Sequence, residues 1–395
     1  MFLAMMERLQ NEIAKAELIS KVNDNFRNLI LSMQSGVEKR ENESRPTPEC
    51  IEQIKTYLGD LPGKIDWQIY DHSAVVTRLY AAFERFVNDI VRSYVDMLPE
   101  LYHSMTDLPE KVAVNHRIGV GQILQKIGSR KHYRNIDEDT AIRALSAGQA
   151  DGSDYKLIPE AFLVEKLNYR MEVIGAIFSS LDFEQCVSKI ESHPIVREFI
   201  ENEVGESTTA TSELERFVRF RNEAAHDVPE EILSHDEVLK LQSLITAIGT
   251  ALSEMVRSKV IERHIELGHT LTIGTVTEIH YKGSIIVLNF SKDVYLSTGD
   301  FLCISKNGVN RMAKVIALQD YNNDVQYIEG KVGQEVGLKL SIRSCIGSEV
   351  KTVVLPSKHV QLSLEVTQEV PAEVEEVVLR DDEIFPEFTD MESGV

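Results

Sequence analysis

The spacing of apolar residues changes period once along this chain, at Gly268, and that change constrains the fold more than any other feature. Before it, apolar side chains recur at about one helical turn; after it, short β-branched runs alternate between turn residues. The stretch 74–98 is the clearest helical case. Val75/Val76, Leu79/Tyr80, Phe83, Phe86/Val87, Ile90/Val91 and Tyr94/Val95 form one apolar stripe, which Pro99 is expected to end. Residues 4–33 carry the same period and lead into the polar run SGVEKRENESRPTPE. Further helices are expected at about 109–128, 138–147, 157–180, 184–203 and 235–264. Ser212 and Glu215 match a capping box, which starts a helix at Ser212, and Pro229 requires that helix to end near Asp227.

Beyond Gly268 the segments LTIGTVTEIHY, SIIVLNF, DVYLSTGDFLCIS, RMAKVIALQ and EVGLKLSI read as five or six strands. Lys282-Gly283, Thr298-Gly299-Asp300 and Asn307-Gly308 punctuate them as turns. A small antiparallel barrel is the expected form. The fold class is therefore α+β multidomain, an all-α bundle followed by a barrel. Its expected divisions are an N-terminal helix and linker (1–58), a helical domain (59–264), the barrel (265–350) and an acidic tail (351–395).

Composition narrows the function classes. With 43% apolar and 27% charged residues, the 395-residue chain can bury more than one core. Its net charge of −21 opposes phosphate binding, but the charge is unevenly spread. From Glu365 onward eleven acidic residues accompany a single basic one, Arg380, so this short tail holds −10 of the total. The tail is expected to be disordered, either as a solubilising end or as a nucleic-acid mimic covering a basic cleft. Cys50, Cys186, Cys303 and Cys345 lie far apart, which suits reduced thiols rather than a disulfide framework or zinc ribbon. No apolar run nears the roughly 18 residues of a membrane helix, and the N-terminus does not read as a signal peptide. A cytoplasmic protein without membrane contact is expected.

The segment Arg221-Asn222-Glu223-Ala224-Ala225-His226 carries the most chemistry. A histidine titrating near neutrality can take the proton of an RNA 2′-hydroxyl as it attacks the adjacent phosphate, or protonate the leaving oxygen. An arginine can hold that phosphate through its fork and stabilise developing charge. DNA lacks the hydroxyl, so the pair points to RNA. Five helical residues rotate by about 140°, so convergence needs a helix that ends or tightens near His226, or a two-fold dimer that joins two copies. An exposed arginine beside a histidine at a helix C-terminus is the structural alternative.

That placement resembles the HEPN superfamily, in which a late helix of a helical bundle bears R-x4-6-H with a polar residue after the arginine. LYAAFERFVNDIV resembles the family's early helix, and LVEKLNYRMEVIGAIFSSLDFE resembles a segment of the bacterial RiboL-PSP-HEPN-like branch. The likeness covers roughly residues 60–260. It implies metal-independent RNA cleavage by a homodimer, in toxin–antitoxin or anti-phage settings, with an antitoxin or regulatory protein as a further partner. Arg221 and His226 would then be the catalytic pair, Asn222 would orient them or touch phosphate, and Glu84 would support them. Glu84 also reads as a plain i,i+4 partner of Asn88. The alternative is a non-catalytic HEPN dimer that binds RNA or protein as a scaffold through its barrel.

Lys126, Arg130, Lys131, His132, Tyr133 and Arg134 interleave basic residues with an aromatic, as RNA contacts do and as solvated loops also do. Arg216 and Arg219 either extend a positive surface or balance nearby glutamates. The remaining histidines show no ligand spacing, so neither metal nor cofactor is expected; His264 and His269 read as a solvated linker. Gly119-x-Gly121 is too short to cradle a nucleotide phosphate. Residues 270–345, through GTVTEIHYKGSIIVLNF, LSTGDFL and GQEVGLKL, resemble the barrel that follows the GTPase domain of Tu-type elongation factors. Contact with RNA or the translation machinery is what that resemblance implies.

Overall fold

A computed structural model describes residues 2–42, 63–127, 136–146, 155–164, 168–205, 208–226, 229, 231–321 and 323–354. The acidic tail beyond Val354, the linker after α1 and the cluster Arg130, Lys131, His132, Tyr133 and Arg134 lie outside them.

Nine α-helices are described: α1 (Phe2–Asn42), α2 (Lys64–Leu101), α3 (Glu110–Lys126), α4 (Glu138–Ser146), α5 (Met171–Ser180), α6 (Cys186–Glu191), α7 (Pro194–Phe199), α8 (Ala210–His226) and α9 (His235–Glu266). The stripe on α2 does what its spacing requires. Val76, Leu79, Phe83, Val87, Ile90 and Val95 are fully buried at the centre of one helical core. Helix α1 packs along α2, as Arg27 with Asp71 and Arg78 with Glu12 illustrate. Gly249 on α9 leaves room for Leu9 of α1 and Phe86 of α2, whose atoms lie 3.1 Å from where a Cβ would stand.

Four expectations for the helices need correcting. The helix read at 157–180 is a single 3-10 turn, Pro159–Phe162, then an interval before α5; Asn168, at φ 54°, turns left-handed between them. The helix read at 184–203 is broken because His193, preceding Pro194, is held extended, and the chain resumes as α7 and a π-turn at Ile200–Val204. Pro99 does not stop α2, which runs on to Leu101; a missing N–H so near the end removes one bond without breaking the turn. Helix α8 begins at Ala210, and Thr209 Oγ1 accepts the Ser212 N–H at 3.2 Å, so Thr209 caps it. The reciprocal capping box belongs instead to Ser234 and Glu237 at the start of α9.

The second half holds nine strands: β1 (Thr270–His280), β2 (Ile285–Phe290), β3 (Val294–Ser297), β4 (Phe301–Lys306), β5 (Val309–Asp320), β6 (Asn323–Val325), β7 (Tyr327–Gly330), β8 (Glu335–Leu340) and β9 (Glu349–Val353). Six close an antiparallel barrel in the order β4-β9-β1-β2-β8-β5, with β5 pairing back to β4. β6 extends β5, and β3 with β7 forms a separate ribbon. Asn307 and Gly308, at φ 52° and 80°, form the tight β4–β5 turn that their sequence called for.

The barrel rests on the C-terminal half of α9. Ile261 and Ile265 pack with Phe301 and Cys303, while the Arg257 guanidinium lies 4.9 Å over the Phe301 ring. Glu254 bridges Lys314 of β5 at 2.5 Å and His193 at 3.3 Å. His264 and His269 are not a solvated linker: His264 is buried, and the two Nδ1 atoms lie 3.1 Å apart at the α9–β1 junction.

Candidate active site

Helix α8 buries Leu214, Phe217, Val218 and Phe220 against the core and turns Arg221 to its margin, half-buried. The guanidinium carbon sits 4.6 Å over the Tyr80 ring of α2. Nη1 donates to Asn222 Oδ1 at 2.9 Å and to Asn168 Oδ1 at 3.3 Å. Among the described residues, Nε and Nη2 make no hydrogen bond, so one edge of the fork is held and the other faces no described acceptor.

Tyr80 is itself fixed. Its hydroxyl oxygen accepts the Tyr169 N–H at 2.7 Å, and the Tyr169 hydroxyl donates to Asn88 Oδ1. Burial raises the Tyr80 hydroxyl above the usual tyrosine range; the Tyr169 N–H opposes this, Glu84 adds to it and Arg221 opposes it. Tyr80, Glu84 and Asn88 follow one another at one-turn intervals on α2 and so share one face. Asn88 serves Tyr169, while Glu84 acts electrostatically on both tyrosines. The left-handed turn at Asn168 brings residues 168–170 over this face. Sequence reasoning missed Tyr80, Asn168 and Tyr169 as site residues, although two of them stand in the LVEKLNYRMEVIG stretch.

His226 closes α8 with its backbone, and its side chain lies outside the described residues. Five helical residues separate it from Arg221, about 7.5 Å along the axis and about 140° around it. Arg216 and Arg219 have nearby carboxylates. Arg216 reaches Glu231 and Glu237, each at 3.3 Å, and Arg219 lies 3.7 Å from Glu223. Lys126 ends α3, partly buried. No group of three or more His, Cys, Asp or Glu among the described residues could hold a metal ion. No described helix is long and apolar enough to cross a membrane.

A family model described as MAE_28990-like HEPN matches residues 8–264, well over half of the chain and nearly all of the helical core. The chain belongs to this HEPN family. The match takes in α2, α8 and every residue of the Arg221 site, and it ends two residues before α9 does. The barrel lies beyond it. No curated protein and no solved structure matches the chain.

Proposed function

We propose that this HEPN protein is an endoribonuclease that needs no metal ion, with Arg221, Asn222 and His226 as its reacting groups. The observation that carries the reading is the state of Arg221. An arginine late in the bundle is held by a ring beneath it and two amide oxygens along one edge, ahead of a histidine on the same helix. A preorganised guanidinium of this kind suits a phosphate whose negative charge grows in the transition state. In the proposed step the 2′-oxygen forms a bond to phosphorus and the bond from phosphorus to the 5′-oxygen breaks. His226 takes the 2′-proton or supplies one to the departing 5′-oxygen, leaving a 2′,3′-cyclic phosphate and a 5′-hydroxyl.

The α8 backbone is helical through His226, and five residues along a regular helix are rotated by about 140°. A two-fold homodimer that joins two α8 ends in one cleft is the arrangement proposed to resolve this. A role as toxin or anti-phage effector, held by an antitoxin or regulatory protein, follows from the same reading. The barrel is proposed to position RNA or contact the translation machinery.

The test is cleavage of RNA in the presence of a chelator. Arg221→Ala and His226→Ala are each expected to lower kcat/KM by roughly 10²–10⁴-fold, with cyclic phosphate ends accumulating correspondingly more slowly than for the wild type. Equal activity of wild type and both variants would remove the enzymatic reading in favour of a binding scaffold.

A further inference from the structure

The chain that leaves α8 after His226 is caught again within a few residues. The Leu233 N–H donates to Nδ1 of His72 at 3.2 Å, and His72 is 4% exposed. Its ring stands edge-on to Phe220, with centroids 6.3 Å apart at 88°. Arg216, one turn before Phe220 on α8, lies 5.0 Å over that same ring and reaches Glu231 and Glu237. Ser234 and Glu237 close the capping box of α9, so Glu237 is tied twice. Residues 231–237 are therefore fastened to α2 and α8 through two side chains that meet on Phe220, the neighbour of Arg221.

We propose that His72 and Arg216 are positioning residues for His226, an inference that rests on the ribonuclease reading. The last turn of a helix lacks partners for its final carbonyls and frays, so a side chain there is only as well placed as the chain that follows. Six residues lie between His226 and Leu233. Fixing the far end of so short a connection limits how far the helix end can unwind. His72 suits the task chemically: an imidazole that accepts at Nδ1 carries its proton on Nε2 and is neutral. Its Nδ1 is spent on the Leu233 amide. Arg216 faces two carboxylates that compete with any phosphate, which places it in the clamp rather than on the RNA path.

The experiment uses the full chain with His72→Phe, which keeps a ring against Phe220 but removes the acceptor. His72→Asn returns an acceptor oxygen near the Nδ1 position, and Arg216→Met releases the other anchor. Three quantities are read: hydrogen exchange at the Leu233 amide, the titration of the His226 ring by NMR, and kcat and KM on RNA. His72→Phe is expected to speed Leu233 exchange, shift the His226 titration and lower kcat about tenfold or more. KM should stay within about twofold, and His72→Asn should restore all three. Arg216→Met should reproduce the loss, which keeps the question answerable if His72→Phe fails to fold. Faster Leu233 exchange with unchanged His226 titration and kcat would overturn the proposal, as would exchange that does not change. If wild type and His226→Ala are equally inactive, the ribonuclease reading fails, and exchange with titration still decides the clamp.

Discussion

Single residues show how burial decides what a titratable group can do. His116, on α3, is fully buried, and its Nε2 accepts the Ile158 N–H at 2.9 Å. Burial pushes its pKa from the usual 6.5 down to about 4. The neutral form is the one the fold prefers, so the stability it contributes is whole above pH 6.5 and is lost as pH falls towards 4. The slope across that window is about 1.4 kcal/mol per pH unit. Urea denaturation at a series of pH values should show this slope, and His116→Gln should flatten it; an unchanged slope in the variant would assign the acid sensitivity elsewhere. Arg221 and Asn222 were legible as candidates because their chemistry is local. Tyr80 was not, since an aromatic on an apolar stripe looks like core until a guanidinium is found over its ring.

At the scale of elements, the Gly119-x-Gly121 pair earns a structural explanation. Helix α3 crosses the 3-10 turn Pro159–Phe162 so closely that a Cβ on Gly119 would lie 2.0 Å from the Ala161 carbonyl oxygen. A Cβ on Gly121 would meet nothing within 4 Å. Gly119→Ala is therefore expected to cost roughly 2 kcal/mol or more through overpacking against backbone. Gly121→Ala should be neutral or stabilise by about 0.5–1 kcal/mol as a better helix former. Chemical denaturation of both variants checks the pair, and equal effects would contradict the close approach. Helix periodicity located the long elements well. It merged 157–180 and 184–203 because apolar spacing continues across breaks that left-handed and pre-proline residues impose on the backbone.

Across the whole molecule, α9 serves two cores. Its first part lies within the helical core, and Ile261 and Ile265 near its end belong to a cluster with Phe301 and Cys303 of the barrel. Glu254 links the two: hydrogen bonding from His193 and from Lys314 holds its carboxyl at about 2, well below the usual carboxylate range. The barrel is thus fastened to a helix whose first part lies in the helical core. Removing residues 265–395 is expected to broaden cleavage across RNAs of different structure and to loosen the end of α9. Competition assays with mixed RNAs, alongside hydrogen exchange of α9, would measure both. Unchanged selectivity in the truncated chain would end the positioning role.

By itself the sequence determined the two periods, the turn chemistry at Asn307-Gly308 and the candidate pair Arg221 and His226. Each depends on neighbours within a few residues, where propensity and spacing act directly. Only the tertiary structure decided the order β4-β9-β1-β2-β8-β5 in which the strands close, that Arg221 rests on Tyr80, and that His72 reaches Leu233 across 161 residues of chain. Those contacts join distant segments, and their geometry follows from how buried surfaces pack, which no local pattern encodes.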